Sequence, residues 1–186
     1  LMRSSAASDV YKRQEQISKT KIDEYLKEKI FTKAKLFNTY VNDEGKTIIP
    51  NRAYGHIISN NQLIVKDQYW CSATIGDGGL YSNIIDLNRW IDYLLNDVFD
   101  KLKSTMFLPN VFDEKTQSYY GLGIRIINVN GCDIYYHCGD TIGTNTFILF
   151  SKDLNLRCIF LTNMGNIDTC LLYPSPSPRD RSLSRM

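Results

Sequence analysis

Long apolar runs are missing from this 186-residue chain. No stretch approaches the roughly eighteen consecutive apolar residues that a membrane-spanning helix needs, and residues 1–14 hold no uninterrupted apolar stretch of the kind a secretory signal requires. Histidine is scarce, at two residues, and the five cysteines lack the close paired spacing of a zinc site. Neither a metal centre nor a cofactor is expected. No sign of charge dominates either, since 22 basic residues stand against 20 acidic ones, a formal +2. Proline is sparse, and three of the five (Pro174, Pro176, Pro178) crowd the last stretch in alternation with serine. Such a run cannot continue a strand or helix and has nothing to bury. What is present, 43% apolar and 23% charged residues, is the composition of one soluble domain or a piece of a larger one, and excludes a disordered chain.

The two ends differ from the middle. Residues 1–14 carry Arg3, Lys12 and Arg13 against Asp9, and residues 170–186 carry Arg179, Arg181 and Arg185 against Asp180, so each end is +2 and residues 15–169 are −2. One back-translation of Asp9-Val10-Tyr11-Lys12-Arg13-Gln14 resembles a transposon end used to prepare sequencing libraries. Its reverse complement reads, in a shifted frame, as Cys170-Leu171-Leu172-Tyr173. One end thus predicts the other. We expect residues 1–14 and 170–186 to be non-native adapter-derived segments flanking a partial domain at 15–169. The basic ends then give no reason to expect a nucleic-acid partner.

Within 15–169, Ile17, Ile22, Tyr25, Leu26 and Ile30 recur mostly at three- and four-residue spacings among charged residues, which predicts an amphipathic surface helix. Residues 31–66 mix polar residues with turn signals and predict loops with short extended pieces. Ser82 stands where a helix N-cap belongs, with Asp86 in the first turn. Leu87, Trp90, Ile91, Leu94, Leu95 and Val98 then form a helical stripe. A shorter helix around 98–107 should stop before Pro109. From Tyr120 the pattern turns extended: Gly121 to Ile127, Cys132 to His137, Asn145 to Phe150 and Leu156 to Thr162. Asn130-Gly131 is a hairpin signal and Asp153-Leu154-Asn155 another turn. The fold class expected is α+β, an antiparallel β-meander packed with helices.

Three groups of residues suggest chemistry. Cys132, His137 and Cys138 hold a thiol and an imidazole, but neighbours on a strand point to opposite faces, so buried thiols are the expected state. Ser18-Lys19-Thr20-Lys21 has the Ser-x-x-Lys spacing of acyl-enzyme hydrolases, in which the lysine takes the serine proton. It lies in a strongly charged surface stretch, where a solvated lysine keeps its proton. Tyr40-Val41-Asn42 and Tyr81-Ser82-Asn83 have a Tyr-x-Asn form, the second with a ready role at the start of a helix.

Taken in order, Ile49-Pro50-Asn51-Arg52-Ala53-Tyr54-Gly55-His56, Gly76-Asp77-Gly78-Gly79-Leu80-Tyr81-Ser82 with Asp86-Leu87 and Trp90, Tyr120-Gly121-Leu122-Gly123, His137-Cys138-Gly139 with Gly143, and Leu161-Thr162-Asn163 are five separate elements. Together they resemble the serine β-lactamase-like family, which includes class C β-lactamases, penicillin-binding-protein-like peptidases and related esterases. The resemblance covers nearly all of 15–166 and implies a fragment of the β-lactamase/transpeptidase-like fold. It implies a serine hydrolase that acylates on serine and then hydrolyses an amide, lactam or ester, with a small molecule or peptide as substrate. It also points to the cell envelope or periplasm.

By motif position, His137-Cys138-Gly139 matches the family's third, strand-borne element, so His137, Cys138 and Gly139 are the expected substrate-binding residues. His137 takes the cationic or hydrogen-bonding position, and Asp140 would supply a backbone N–H to the oxyanion. The strand carrying them is expected to lie at a sheet edge, where unpaired backbone can meet an extended substrate. The helix at 15–30 resembles the one that follows the family's tyrosine loop. The nucleophilic Ser-x-x-Lys is therefore expected to lie upstream of residue 1, leaving this fragment inactive. The rival readings are a noncatalytic homologue that binds peptidoglycan or peptide, and an unrelated α+β interaction domain.

Overall fold

Asn130 and Gly131 both adopt positive φ, 53° and 85°, the combination that a two-residue hairpin turn needs to match strand twist. They join β7 (Arg125–Val129) to β8 (Cys132–Thr141) in the computed structural model, which describes residues 6–42, 47–68, 78–114 and 116–167. β9 (Thr144–Ser151) and β10 (Leu156–Thr162) continue the meander, and β5 (Val111–Asp113) and β6 (Ser118–Tyr120) begin it. The sheet has six antiparallel strands in the order β10-β9-β8-β7-β6-β5. The expected four-strand meander is present and two strands longer. Two small antiparallel pairs stand apart: β1 (Tyr40–Val41) with β4 (Leu80–Tyr81), and the hairpin of β2 (His56–Ser59) with β3 (Gln62–Val65). Tyr40 thus lies in a strand.

Alternation along the strands separates two apolar faces. Ile124, Ile126, Tyr135 and Phe150 pack with Ile91, Leu94 and Phe107 on the helical side. Ile127, Ile134, Tyr136, Phe147 and Leu149 form the other face, with Cys138 and Phe160 at its margin. On the helical side Phe107, Tyr135 and Phe150 meet ring to ring, with centroids 4.9 to 6.4 Å apart.

Helix α3 (Ile84–Tyr93) supplies the apolar stripe, and a π-helical turn over Leu94–Val98 carries it onward to α4 (Phe99–Leu102). Its cap is Asn83, whose side-chain oxygen accepts from the Asp86 N–H at 2.9 Å. The expected cap, Ser82, sits one residue too early, and its hydroxyl pairs with Thr39 Oγ1 at 2.9 Å.

The single helix expected over 17–30 is broken. α1 (Ala6–Ser18) ends at Lys19, which has φ 58°, and α2 (Ile22–Leu26) begins afresh before a π-helical turn at Lys27–Phe31. The cause is local: Ser18 and Thr20 exchange side-chain to backbone hydrogen bonds of 3.2 to 3.3 Å, which compete with the helical ladder. Glu15 stitches the break by accepting from the Ile22 N–H at 2.8 Å. Ile17, placed on the buried stripe by its spacing, is 80% exposed. α1 crosses the expected boundary between residues 14 and 15, and Tyr11 packs with Phe31, Ala34, Leu36 and Val41.

Candidate functional site

β8 changes its neighbours part-way along. Its ladder with β7 ends at Arg125↔Tyr136, whereas that with β9 runs on to Thr141↔Thr144. From His137 onward the strand is therefore laddered on one side only, so the expected edge exists for its second half and not its first. The pair closing a two-residue turn must be the hydrogen-bonded kind, and pair types alternate along an antiparallel ladder. Counting back from Thr141, the backbone groups of Gly139 and His137 turn toward β9, and those of Asp140 and Cys138 turn toward the open side. The Asp140 N–H thus points where an extended ligand could reach it. Its carboxylate is exposed and accepts from Asn145 Nδ2 at 3.0 Å.

The side chains of this segment divide as alternation requires. Cys138 points to the far apolar face, opposite Phe147, so any part it plays at the open edge is through its backbone. A Cβ on Gly139 would lie 2.3 Å from Thr146 Oγ1. The cross-strand neighbour already fills that space. His137 is half-buried, with Nε2 3.2 Å from the Tyr120 hydroxyl. Tyr120 stands under the Arg125 guanidinium, 5.2 Å from ring centroid to Cζ, and Arg125 is tied to Asp113 and Thr116 at 2.8 Å and to Ser118 at 3.2 Å.

A second cluster borders the far end of the strand. Gln68 Nε2 donates to Thr141 Oγ1 at 2.6 Å, and its Oε1 accepts from the Tyr81 hydroxyl at 3.3 Å. Arg52 pairs with Asp67 and lies over the rings of Tyr54 and Tyr81, 5.4 and 4.7 Å from their centroids. Burial, above all, raises the Tyr81 pKa, with Arg52 acting against it. A groove of about 260 Å³ lined by Lys66, Asp140, Thr141, Ile142 and Gly143, among others, opens beside the same turn.

The remaining candidates do not join this site. Ser18 closes α1 at its C-terminal end, with its hydroxyl bound to the Thr20 backbone, rather than opening a helix beside a buried lysine. Asp77 of the Gly76-Asp77-Gly78-Gly79 stretch falls outside the described residues. Among the described residues no group of three His, Cys, Asp or Glu side chains is placed to hold a metal, and no helix is long and apolar enough to cross a membrane.

The beta-lactamase family model matches residues 4–167. The chain belongs to the beta-lactamase family. Solved structures with the same fold include the penicillin binding protein from Bacillus halodurans, at TM-score 0.72 and 19% identity over 85% of this chain and 50% of that one. The octameric penicillin-binding protein homologue from Pyrococcus abyssi has TM-score 0.67 and 21% identity over 83% of this chain and 36% of its own. The D-amino acid amidase from Ochrobactrum anthropi SV3, complexed with L-phenylalanine amide, has TM-score 0.61 and 12% identity over 83% and 49%. No curated protein matches the chain. It spans half or less of the length of these three structures, and identities this low establish the fold alone.

Within this beta-lactamase fold the protonation of His137 is set by its surroundings. Burial, chiefly, and the charge of Arg125 hold its pKa below the ordinary 6.5, against a backbone hydrogen bond at Cys138 that raises it. With the folded value depressed, the unfolded chain takes up the proton first as pH falls. The stability present at neutral pH should therefore decline from about pH 6.5 downward, toward the folded value. Urea midpoints measured across that window should fall in the wild type and flatten in His137→Gln. An unchanged slope in the variant would show that His137 titrates as freely folded as unfolded.

Sequence reading placed His137, Cys138, Gly139 and Asp140 on one strand but missed the groups around them. Tyr120 was visible only as part of Tyr120-Gly121-Leu122-Gly123. Gln68 and Arg125 carried no signal, because their roles depend on a contact with a residue 73 positions away in the first case and on groups of β5, β6 and the turn between them in the second.

Proposed function

We propose that this chain forms one wall of a serine-hydrolase cleft, the wall being the open half of β8 from His137 to Asp140. The reaction is acyl transfer: a serine attacks an amide, lactam or ester carbonyl, and water then releases the acyl group. The single observation that carries this reading is the direction of the Asp140 N–H, which the ladder turns outward, away from β9. A fixed backbone donor at that position can stabilise the charge that develops on the carbonyl oxygen. The substrate, a small molecule or peptide, would lie as an extended strand against the same edge. With its pKa held below the ordinary value, His137 presents a neutral imidazole rather than a charge to that edge near pH 7.

In this reading the attacking serine and its lysine are not in the 186 residues. Ser18, the one match to the spacing, is bound locally at a helix C-terminus. The chain should accordingly show no labelling by fluorescent penicillin or fluorophosphonate. The same chain extended by the coding sequence that precedes residue 15 in the genome should be labelled. Labelling of the 186-residue chain that disappears in Ser18→Ala would place the nucleophile here and overturn this division. An extended chain with an intact fold but no Ser-x-x-Lys would make the wall a binding surface only.

A further inference from the structure

We infer that Tyr120 is a positioning residue that fixes the tautomer of His137, its hydroxyl donating to Nε2 so that the ring proton is confined to Nδ1. The inference rests on the reading of β8 as a cleft wall, and adds to it a residue two strands away. The contact is direct, 3.2 Å between Tyr120 Oη and His137 Nε2, with the rings 6.3 Å apart and inclined at 58°.

Both partners are held from outside the contact. Tyr120 is laddered to Arg125 and to Val111, and the Asn110 N–H donates to its carbonyl at 3.2 Å. The next residue, Gly121, is seated so closely that a Cβ would lie 2.2 Å from the Met106 carbonyl oxygen. This fixes the backbone from which the phenol projects. Arg125, anchored by Asp113, Thr116 and Ser118, sets its positive charge over the Tyr120 ring face. A cation there draws density from the ring and favours the hydroxyl as a donor.

A neutral imidazole has one donor and one acceptor nitrogen, and the bond made by one selects the role of the other. With Nε2 accepting from the Tyr120 hydroxyl, the single ring proton of the neutral imidazole lies on Nδ1. The charged and titratable groups that reach His137 are Arg125 from β7 and Tyr120 from β6, with Asp113 of β5 bound to Arg125. The result is a ring whose orientation and protonation are fixed before any substrate arrives, which is what a preformed wall requires.

The test is favoured by scarcity. The chain has two histidines, and His56 lies elsewhere, its Nδ1 3.4 Å from Asn163 Nδ2. With 15N-histidine in the full chain, long-range 1H–15N spectra in mildly alkaline buffer should show His137 Nε2 at the unprotonated position and Nδ1 at the protonated one. Tyr120→Phe should move Nε2 toward the protonated position and leave His56 unmoved. Arg125→Lys, which loosens Tyr120 without removing its hydroxyl, should give a smaller shift in the same direction. A wild-type spectrum with Nε2 protonated would overturn the inference without any variant, and so would a Tyr120→Phe spectrum in which His137 stays put. These outcomes are separate from those of the cleft reading. An extended enzyme that is labelled but has Nε2 protonated refutes the tautomer alone, whereas an unlabelled one with the expected tautomer refutes the cleft alone.

Discussion

Replacing Asp86 by alanine should lower the folding free energy by about 3–4 kcal/mol, a large part of the roughly 5–15 kcal/mol that holds a domain together. The carboxylate is 0% exposed. It accepts from the Asn38 N–H at 2.7 Å and Thr39 Oγ1 at 3.0 Å, and pairs with Arg89 at 3.0 Å. Its own N–H is held by the Asn83 cap. One side chain therefore fastens the start of α3 to the segment that leads into β1. Arg89 is partly exposed and can turn to water when its partner is lost. The Asn38 N–H and Thr39 hydroxyl are less free to do so, and each unsatisfied buried group costs about 1–3 kcal/mol. Asp86→Asn keeps the shape and one acceptor and should lose about half as much. Urea unfolding at neutral pH measures both, as a lower midpoint at unchanged slope. A loss under about 1 kcal/mol for the alanine variant would show that water already reaches the carboxylate.

Gly143→Ala should do comparable damage by a different route. Gly143 has φ 74°, and a Cβ there would lie 1.8 Å from the Lys66 carbonyl oxygen and 2.8 Å from Gly55 Cα. Both obstacles are backbone and cannot rotate aside. Gly55 and Gly165 are close-packed against the same residue, a Cβ on either lying 3.0 Å from Gly143 backbone atoms. This contact seats the β2–β3 hairpin on the β8–β9 turn through His56 N–H to Gly143 O at 3.1 Å, and on the segment after β10 through Gly165 N–H to His56 O at 2.7 Å. The methyl group should force the hairpin off its seat, at a cost of about 3 kcal/mol or more. Gly131→Ala is the control. That residue has φ 85° but nothing within 4 Å of the added atom, so it should lose only about 1 kcal/mol from backbone strain. Hydrogen exchange should report faster amides in β2 and β3 for Gly143→Ala alone. Equal losses in the two variants would mean that the glycine packing is not what holds the hairpin.

The sheet was legible because its signals are local. Asn130-Gly131 fixes a turn by φ alone, and the alternation from Arg125 to Phe150 fixes which face each residue takes. The helix over 17–30 was misread because apolar spacing cannot register competition from Ser18 and Thr20, whose hydroxyls donate to each other's backbone carbonyls across Lys19. The cap of α3 was misplaced by one residue for a related reason. Ser82 and Asn83 are both good caps, and the Thr39 hydroxyl, 43 residues away, took Ser82.

Residue types in series were enough to establish the family and the α+β class of this protein, because turn chemistry, apolar period and motif order are written along the chain. They also put His137, Cys138, Gly139 and Asp140 on one strand. Only the folded arrangement decided that this strand is laddered on both sides before His137 and on one side after it, that Tyr120 and Arg125 meet His137, and that three glycines close on one another at the β8–β9 turn. Those features are set by distances between atoms far apart in sequence, and nothing short of the tertiary packing brings them together.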